Sequence, residues 1–246
     1  MKFEDYSRTF LHFHTDLLPE LLLRHLPAGS FSLVDLGAGD GALLVGLQNQ
    51  GYLEQAKQVV AIDLSEERCE RLRKSTNFRV LCSDVMHVPE LESGMFDYVI
   101  CTQVIEHVDQ HGLLAEIKRL LRDDGILYIA SLVKKWYGWW YYKTADGKWA
   151  IDPTHLREYA SQGAFEEVIE QSGFRIIETK LSPLKLSVLE FLVRRVVVPI
   201  FHAQNVNNFF LRHPYADFIR KTLNVRPPGY QIIESICTKH RPNDNK

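Results

Sequence analysis

Short apolar runs alternate with amphipathic stretches along most of this chain. Ser32 to Leu36, Gln58 to Leu64, Phe78 to Ser83, Phe96 to Thr102 and Gly125 to Val133 are bounded by turn-forming residues, the pattern of strands buried on both faces. Between them apolar positions recur at helical spacing. The clearest case carries Leu113, Leu114, Ile117, Leu120 and Leu121 on one stripe, with Lys118 and Arg119 off it. Ser65 before Glu66 and Glu67 predicts a capped helix start whose acids favour the positive end of the dipole. Strands alternating with helices predict right-handed crossovers and a doubly wound, Rossmann-like α/β sheet, with its ligand at the carboxyl ends of the strands.

The flanks read differently. From about Ser7 to Leu26, Phe10, Phe13, Leu17, Leu18, Leu21 and Leu22 recur near helical spacing, so residues 1–30 are expected to form a helical cap. Residues 31–180 then form the core. It closes with a helix around Phe165 to Gln171, stopped by Gly173, and a strand from Phe174 to Lys180. Residues 181–229 are too long for a plain loop and are expected to form a lid of two or three short helices. Residues 230–240 return as a last strand, Tyr230 to Lys239, and residues 241–246 read as a loose tail.

Composition narrows the classes. Twenty-nine basic against 31 acidic groups give a net charge of −2, without the cationic excess that DNA tracking needs. The charge is polarised, however: from Leu181 onward there are ten Lys or Arg against four Asp or Glu, a balance of +6 that leaves −8 for the rest. Cys69, Cys82, Cys101 and Cys237 show no C-x-x-C pairing, which predicts reduced thiols and a cytoplasmic setting. The N-terminal residues carry acids where a signal peptide is basic and then apolar. The most apolar window, Val188 to Phe201, is interrupted by Glu190, Arg194, Arg195 and Pro199 and falls short of the roughly 20 residues a spanning helix needs.

The most informative segment is Leu33-Val34-Asp35-Leu36-Gly37-Ala38-Gly39-Asp40-Gly41, where a strand enters a glycine turn before a helix from Ala42 to Gln50. Glycines there let the backbone approach a nucleotide-like ligand closely. Two readings are open on the residues. Gly37-x-Gly39-x-x-Ala42, with Asp63 about 20 residues on, satisfies a dinucleotide fingerprint and would make a nicotinamide oxidoreductase. Asp35 argues otherwise, because a carboxylate beneath the turn would repel a pyrophosphate and attract a sulfonium or ammonium.

With Asp35, the turn Ser83-Asp84-Val85 and the segment Cys101-Thr102-Gln103-Val104-Ile105-Glu106-His107-Val108, the chain resembles the class I S-adenosylmethionine-dependent methyltransferases. The last of these segments is similar to the signature of their generic type 11 and ubiquinone-biosynthesis-like members. The resemblance runs from about Phe31 to Lys180, with Tyr230 to Lys239 matching an antiparallel last strand. It implies a seven-stranded sheet, six strands parallel, binding one S-adenosylmethionine and releasing S-adenosylhomocysteine. It also implies Asp35 at the methionine end of the cofactor, Asp63 on the ribose hydroxyls and Asp84 on the adenine amine. Gly37, Ala38, Gly39, Leu64, Val85 and Gln103 complete the implied cofactor set.

For the chemistry, His107 and His155 are the candidate bases, since a hydroxyl acceptor benefits from a group that titrates near neutrality. The plainer alternative is that His107 caps its own helix and His155 orders the turn Asp152-Pro153-Thr154-His155-Leu156-Arg157-Glu158-Tyr159. Small-RNA 3′-terminal methyltransferases bind a divalent ion through Glu-x-x-Glu-His and a later His. This chain has Gln103 where their first carboxylate stands, so no metal is expected. Six aromatics in seven positions, Trp136 to Tyr142, are flanked by Lys134, Lys135 and Lys143 and either line the lid or stack on an acceptor. The expected acceptor is a hydroxyl on a small molecule, glycan or lipid-linked precursor. The basic C-terminal part is expected to meet an anionic acceptor or, weakly, an acidic membrane surface. The alternative of a different class is a cofactor-binding protein without transferase activity.

Overall fold

The structure, a computed structural model, describes residue 12 and residues 16–143, 147–197, 200, 209–210 and 212–240. Five strands, β1 (Phe31–Leu36), β2 (Ala56–Asp63), β3 (Arg79–Cys82), β4 (Phe96–Thr102) and β5 (Leu121–Lys134), pair in parallel in the order β3-β2-β1-β4-β5. The short strands β6 (Tyr142–Lys143) and β7 (Trp149–Ala150) form a hairpin beyond β5. Next come β8 (Phe174–Pro183), β9 (Leu186–Ser187), β10 (Asn224–Val225) and β11 (Tyr230–Lys239). β11 inserts between β5 and β8 and runs against both, which completes the seven-stranded sheet β3-β2-β1-β4-β5-β11-β8.

Every second residue of the central strands faces the same side, and both sides are buried. Val34, Leu36, Val99, Cys101, Leu127 and Ile129 meet α4 (Gln110–Leu120) and α5 (Gln162–Gln171) through Leu113, Ile117, Phe165 and Ile169. Leu33, Ala61, Tyr98, Ile100 and Tyr128 meet α1 (Glu20–Arg24), α2 (Ala42–Asn49) and α3 (Glu66–Ser75) through Leu21, Leu22, Leu44, Leu47 and Leu72. Each fully buried leucine here contributes roughly 2 kcal/mol of transfer free energy. The expected Ser65 cap is present: its Oγ accepts from the Arg68 N–H at 3.4 Å.

Two flanking elements differ from expectation. The helix expected from Ser7 to Leu26 is, among the described residues, only α1, because Leu17 to Pro19 are not helical. Pro19 disfavours helical torsions at Leu18 and serves as the N-cap. Residues 1–11 and 13–15 lie outside the described residues, as does the expected tail at 241–246. In residues 181–229, the β8 strand continues through Leu181 to Pro183, and β9 pairs with β10. Between them lie α6 (Val188–Leu192), prolonged by a π turn at Val193–Val197, and α7 (Pro214–Thr222). Buried Arg220 of α7 bonds Asp217 at 2.8 Å and Glu190 of α6 at 3.1 Å, so it ties the two helices together. Among the described residues no helix is long and apolar enough to cross a membrane.

Candidate active site

The glycine turn follows β1 directly. Gly37, Gly39 and Gly41 have φ of 80°, 59° and 76°, in the left-handed region where side chains are strained. The N–H groups of Gly37 and Ala38 both donate to the Ile62 carbonyl at 2.8 Å, which pins the turn to the end of β2. A Cβ on Gly37 would stand 2.2 Å from Val104 Cγ2, and one on Gly39 would stand 2.4 Å from His12 Nδ1. Beside them Asp40, which sequence reasoning did not single out, accepts from Arg71 Nε at 2.5 Å and from the His12 N–H at 2.8 Å.

Three acids stand at neighbouring strand ends. Asp35 is 2% exposed, and its Oδ1 accepts no hydrogen bond. Burial, reinforced by the Asp63 charge, pushes its carboxyl up to about 7. Asp63 is also buried: its Oδ2 accepts from the Gly39 N–H and its Oδ1 from the Ser65 N–H, both at 2.9 Å. The Ser83 N–H donates to the Asp63 carbonyl, which joins the next turn to this one. There Val85 is buried, while Asp84 is exposed and takes the Met86 N–H at 2.9 Å. Leu64 is 57% exposed, and Gln103 holds the left-handed φ of 56° at the end of β4. The structure thus brings Asp35, Asp63 and the glycines into direct contact or charge range, with Asp84 and Gln103 on the flanking strand ends.

His107 and His155 pack against each other, their ring centroids 4.7 Å apart and edge to face. The turn holding His155 docks on the loop after β4: the Leu156 N–H donates to the Glu106 carbonyl at 2.9 Å, and Arg157 Nη1 donates to the carbonyls of Ile105 and Val108. His107 does not cap α4. Asp109 does, accepting from the Gly112 N–H at 2.7 Å. His107 Nδ1 instead lies 3.0 Å from Thr154 Oγ1, which donates to Asp152 Oδ1 at 2.6 Å. His155 Nδ1 lies 3.2 Å from Glu158 Oε1.

Burial, and then the neighbouring His155, push His107 down to about 4. Burial raises Glu106, against the opposing pull of His155 and of the Ser131 hydroxyl bonded to its Oε2 at 3.0 Å. Glu158 is also buried, yet His155, the Ile151 N–H and Lys134 hold it below the usual carboxylate range. Glu106, Asp152 and Glu158 were legible only as neighbours of histidines in the sequence. Their convergence requires the turn after β7 to fold back across some 50 residues.

Of the aromatic run, Trp140 packs against the cluster of Leu132, Leu184 and Tyr230. Trp136, at 95% exposure, and Tyr137 and Trp139, each more than half exposed, face outward. Tyr141 touches Phe191 of α6 edge-on, with centroids 6.3 Å apart. Two clefts of about 320 and 440 Å³ open elsewhere, lined by residues such as Ala56, Lys57 and Phe78 in one and His25, Asp97 and Asp124 in the other. They lie at the amino ends of the strands, so the acids and not the concavities locate the site.

Residues 34–129 match the family of the methyltransferase domain, a span that runs from β1 through the glycine turn and all three acids into β5. Residues 34–129 thus carry a class I S-adenosylmethionine-dependent methyltransferase domain. The chain is 26% identical over 130 residues to a ubiquinone biosynthesis O-methyltransferase of Methylococcus capsulatus, an alignment covering 50% of this chain and 52% of the relative. The chain spans about half the length of that relative. In fold it is similar to a geranyl diphosphate methyltransferase solved with S-adenosylmethionine, with a TM-score of 0.54 and 17% identity over 89% of this chain and 83% of that one. It is similar also to the cyclase SpnF, with a TM-score of 0.58 and 18% identity over 89% and 78%.

The chain's own residues fit the family's cofactor. The unpartnered oxygen of Asp35 and the charge of Asp63 make an anionic floor suited to a sulfonium and an ammonium, and the left-handed glycines turn the backbone sharply beside it. The same floor is wrong for the pyrophosphate of a dinucleotide.

Proposed function

We propose that this chain moves the methyl group of S-adenosylmethionine to a hydroxyl of a metabolite, glycan or lipid-linked precursor. The observation that carries the reading is the buried, unpartnered Asp35 Oδ1 beneath the glycine turn, an anion in need of a cation. When bound, the cofactor supplies an electrophilic methyl carbon on a sulfonium. Asp35 balances charge at the methionine end, the backbone of Gly37, Ala38 and Gly39 sets the approach, and Asp63 and Leu64 hold the ribose. Asp84 and Val85 hold the adenine, and Gln103 lies over the methionine side.

At the acceptor end stand the rings of His107, which burial holds neutral, and His155. Thr154 Oγ1 gives its only proton to Asp152 and therefore accepts from His107 Nδ1–H, which leaves Nε2 with a lone pair. Glu158 does the same for His155. Either Nε2 can take the acceptor's proton. The O-methylating relative and the outward aromatics beside the lid support a hydroxyl on a sizeable, partly apolar acceptor. The basic surplus after Leu181 supports an anionic acceptor or light contact with an acidic membrane surface.

The test is calorimetric binding of S-adenosylmethionine followed by transfer of its labelled methyl group onto fractionated cell extracts. The reading expects one bound cofactor, at least about tenfold weaker binding in Asp35→Asn, and label on an extractable acceptor. Because SpnF is a cyclase on a similar fold, fold alone does not fix the chemistry. Binding without label in any fraction would favour a cofactor-binding protein that transfers nothing.

A further inference from the structure

The pair of histidines meets one more group. Glu106 is 1% exposed, its Oε2 bonded by Ser131 and its Oε1 bonded by nothing. One ligand atom each from Glu106, His107 and His155 lie within 4.8 Å of one another. The hydrogen bonds fix which ring nitrogens are left open. His107 gives its Nδ1 proton to Thr154, itself committed to Asp152, and His155 gives its Nδ1 proton to Glu158. Both Nε2 atoms are therefore acceptors, as is Glu106 Oε1. With Glu106 ionised, its Oε1 and the open ring nitrogens are acceptors that cannot satisfy one another, and a cation supplies what all three lack.

We infer that Glu106, His107 and His155 form a binding site for one divalent transition-metal ion. Two imidazoles and one carboxylate suit zinc or a neighbouring ion better than magnesium or calcium, which prefer all-oxygen shells. Bonds of about 2.0–2.2 Å require the three atoms to close in by less than about 1 Å. The outer shell is already in place: Glu158 behind His155 and Thr154 with Asp152 behind His107 hold the rings in the metal-binding tautomer, and Ser131 orients the carboxylate. Three protein ligands leave a position open for water or an acceptor oxygen. With an ion present the two rings are ligands and not bases, and an acceptor hydroxyl bound to the ion gives its proton to solvent water. The inference does not depend on the methyl-transfer reading.

The test uses the full chain, stripped with a chelator and titrated with zinc and with cobalt(II) as a coloured probe. One ion is expected per chain at micromolar affinity or tighter, with cobalt absorption bands of nitrogen and oxygen ligation. Glu106→Gln and His155→Asn should weaken zinc binding by about 100-fold or more, and Glu158→Gln by about tenfold. His111→Ala, on an exposed position of α4, should change nothing. Zinc-edge X-ray absorption on the unaltered chain should show imidazole scattering, and it decides the matter if a variant fails to fold. No saturable binding up to about 100 μM, a thiolate signature, or affinity untouched by both Glu106→Gln and His155→Asn in folded protein overturns the inference. S-adenosylmethionine affinity measured on the stripped protein separates the two readings. If it is intact while zinc does not bind, the ion site alone fails.

Discussion

Near pH 7 the Asp35 carboxyl sits at its own midpoint, because burial and the neighbouring Asp63 push it up to about 7. Two measurable effects follow, and their signs differ. Between the ordinary carboxylate range and about 7 the folded protein holds a proton here that the unfolded chain releases. Stability is therefore fully present at low pH and is lost as the pH rises through about 7. Asp35→Asn removes that loss: it should be more stable than the unaltered protein by up to about 4 kcal/mol at alkaline pH, and the gain should vanish below about pH 4, as read from denaturant midpoints. Cofactor binding runs the other way, since a proton competes with a cation. The Kd for S-adenosylmethionine should rise about tenfold between about pH 8 and about pH 6 in the unaltered protein, and stay flatter in Asp35→Asn. Asp35, Asp63 and Asp84 could be placed from the sequence because each lies at or just beyond the end of a strand the pattern announces. The acceptors around His155 were not, because hydrogen-bond direction depends on where the 152–159 turn docks, and no local pattern encodes that.

The seven strands were readable to within a few residues, because short apolar runs set off by polar or turn-forming residues leave little ambiguity for a strand buried on both faces. The strand pairs β6–β7 and β9–β10 escaped, since two-residue strands are too short to show a period. In residues 181–229, α6 is only five residues long and buries none of its side chains, so it has little stability of its own. Its order depends on Arg220, whose guanidinium is buried against Asp217 and Glu190 and lies 5.0 Å from the Phe210 ring. Arg220→Ala should cost about 3 kcal/mol locally, opening residues 181–229 to trypsin at a visibly higher rate while the main sheet melts as before. A single lowered transition with unchanged cleavage would mean that this segment and the sheet unfold as one unit.

Across the whole molecule, the exposed rings of Trp136 and Trp139 and the basic surplus after Leu181 combine apolar area with positive charge. Co-sedimentation should detect binding to vesicles rich in phosphatidylglycerol at low salt and little to phosphatidylcholine alone. The double variant Trp136→Ser, Trp139→Ser should lose most of the bound fraction while keeping its cofactor affinity. Equal sedimentation with neutral vesicles, or none with either, would remove membrane contact from the proposal. The placement of β11 between β5 and β8 has a consequence for biosynthesis. β5 and β8 emerge from the ribosome long before their shared neighbour, so the nascent chain carries an open edge and an orphan strand until residues 230–239 are free. Premature termination before Tyr230 should therefore yield a product that chaperones hold or that precipitates, and not a folded sheet.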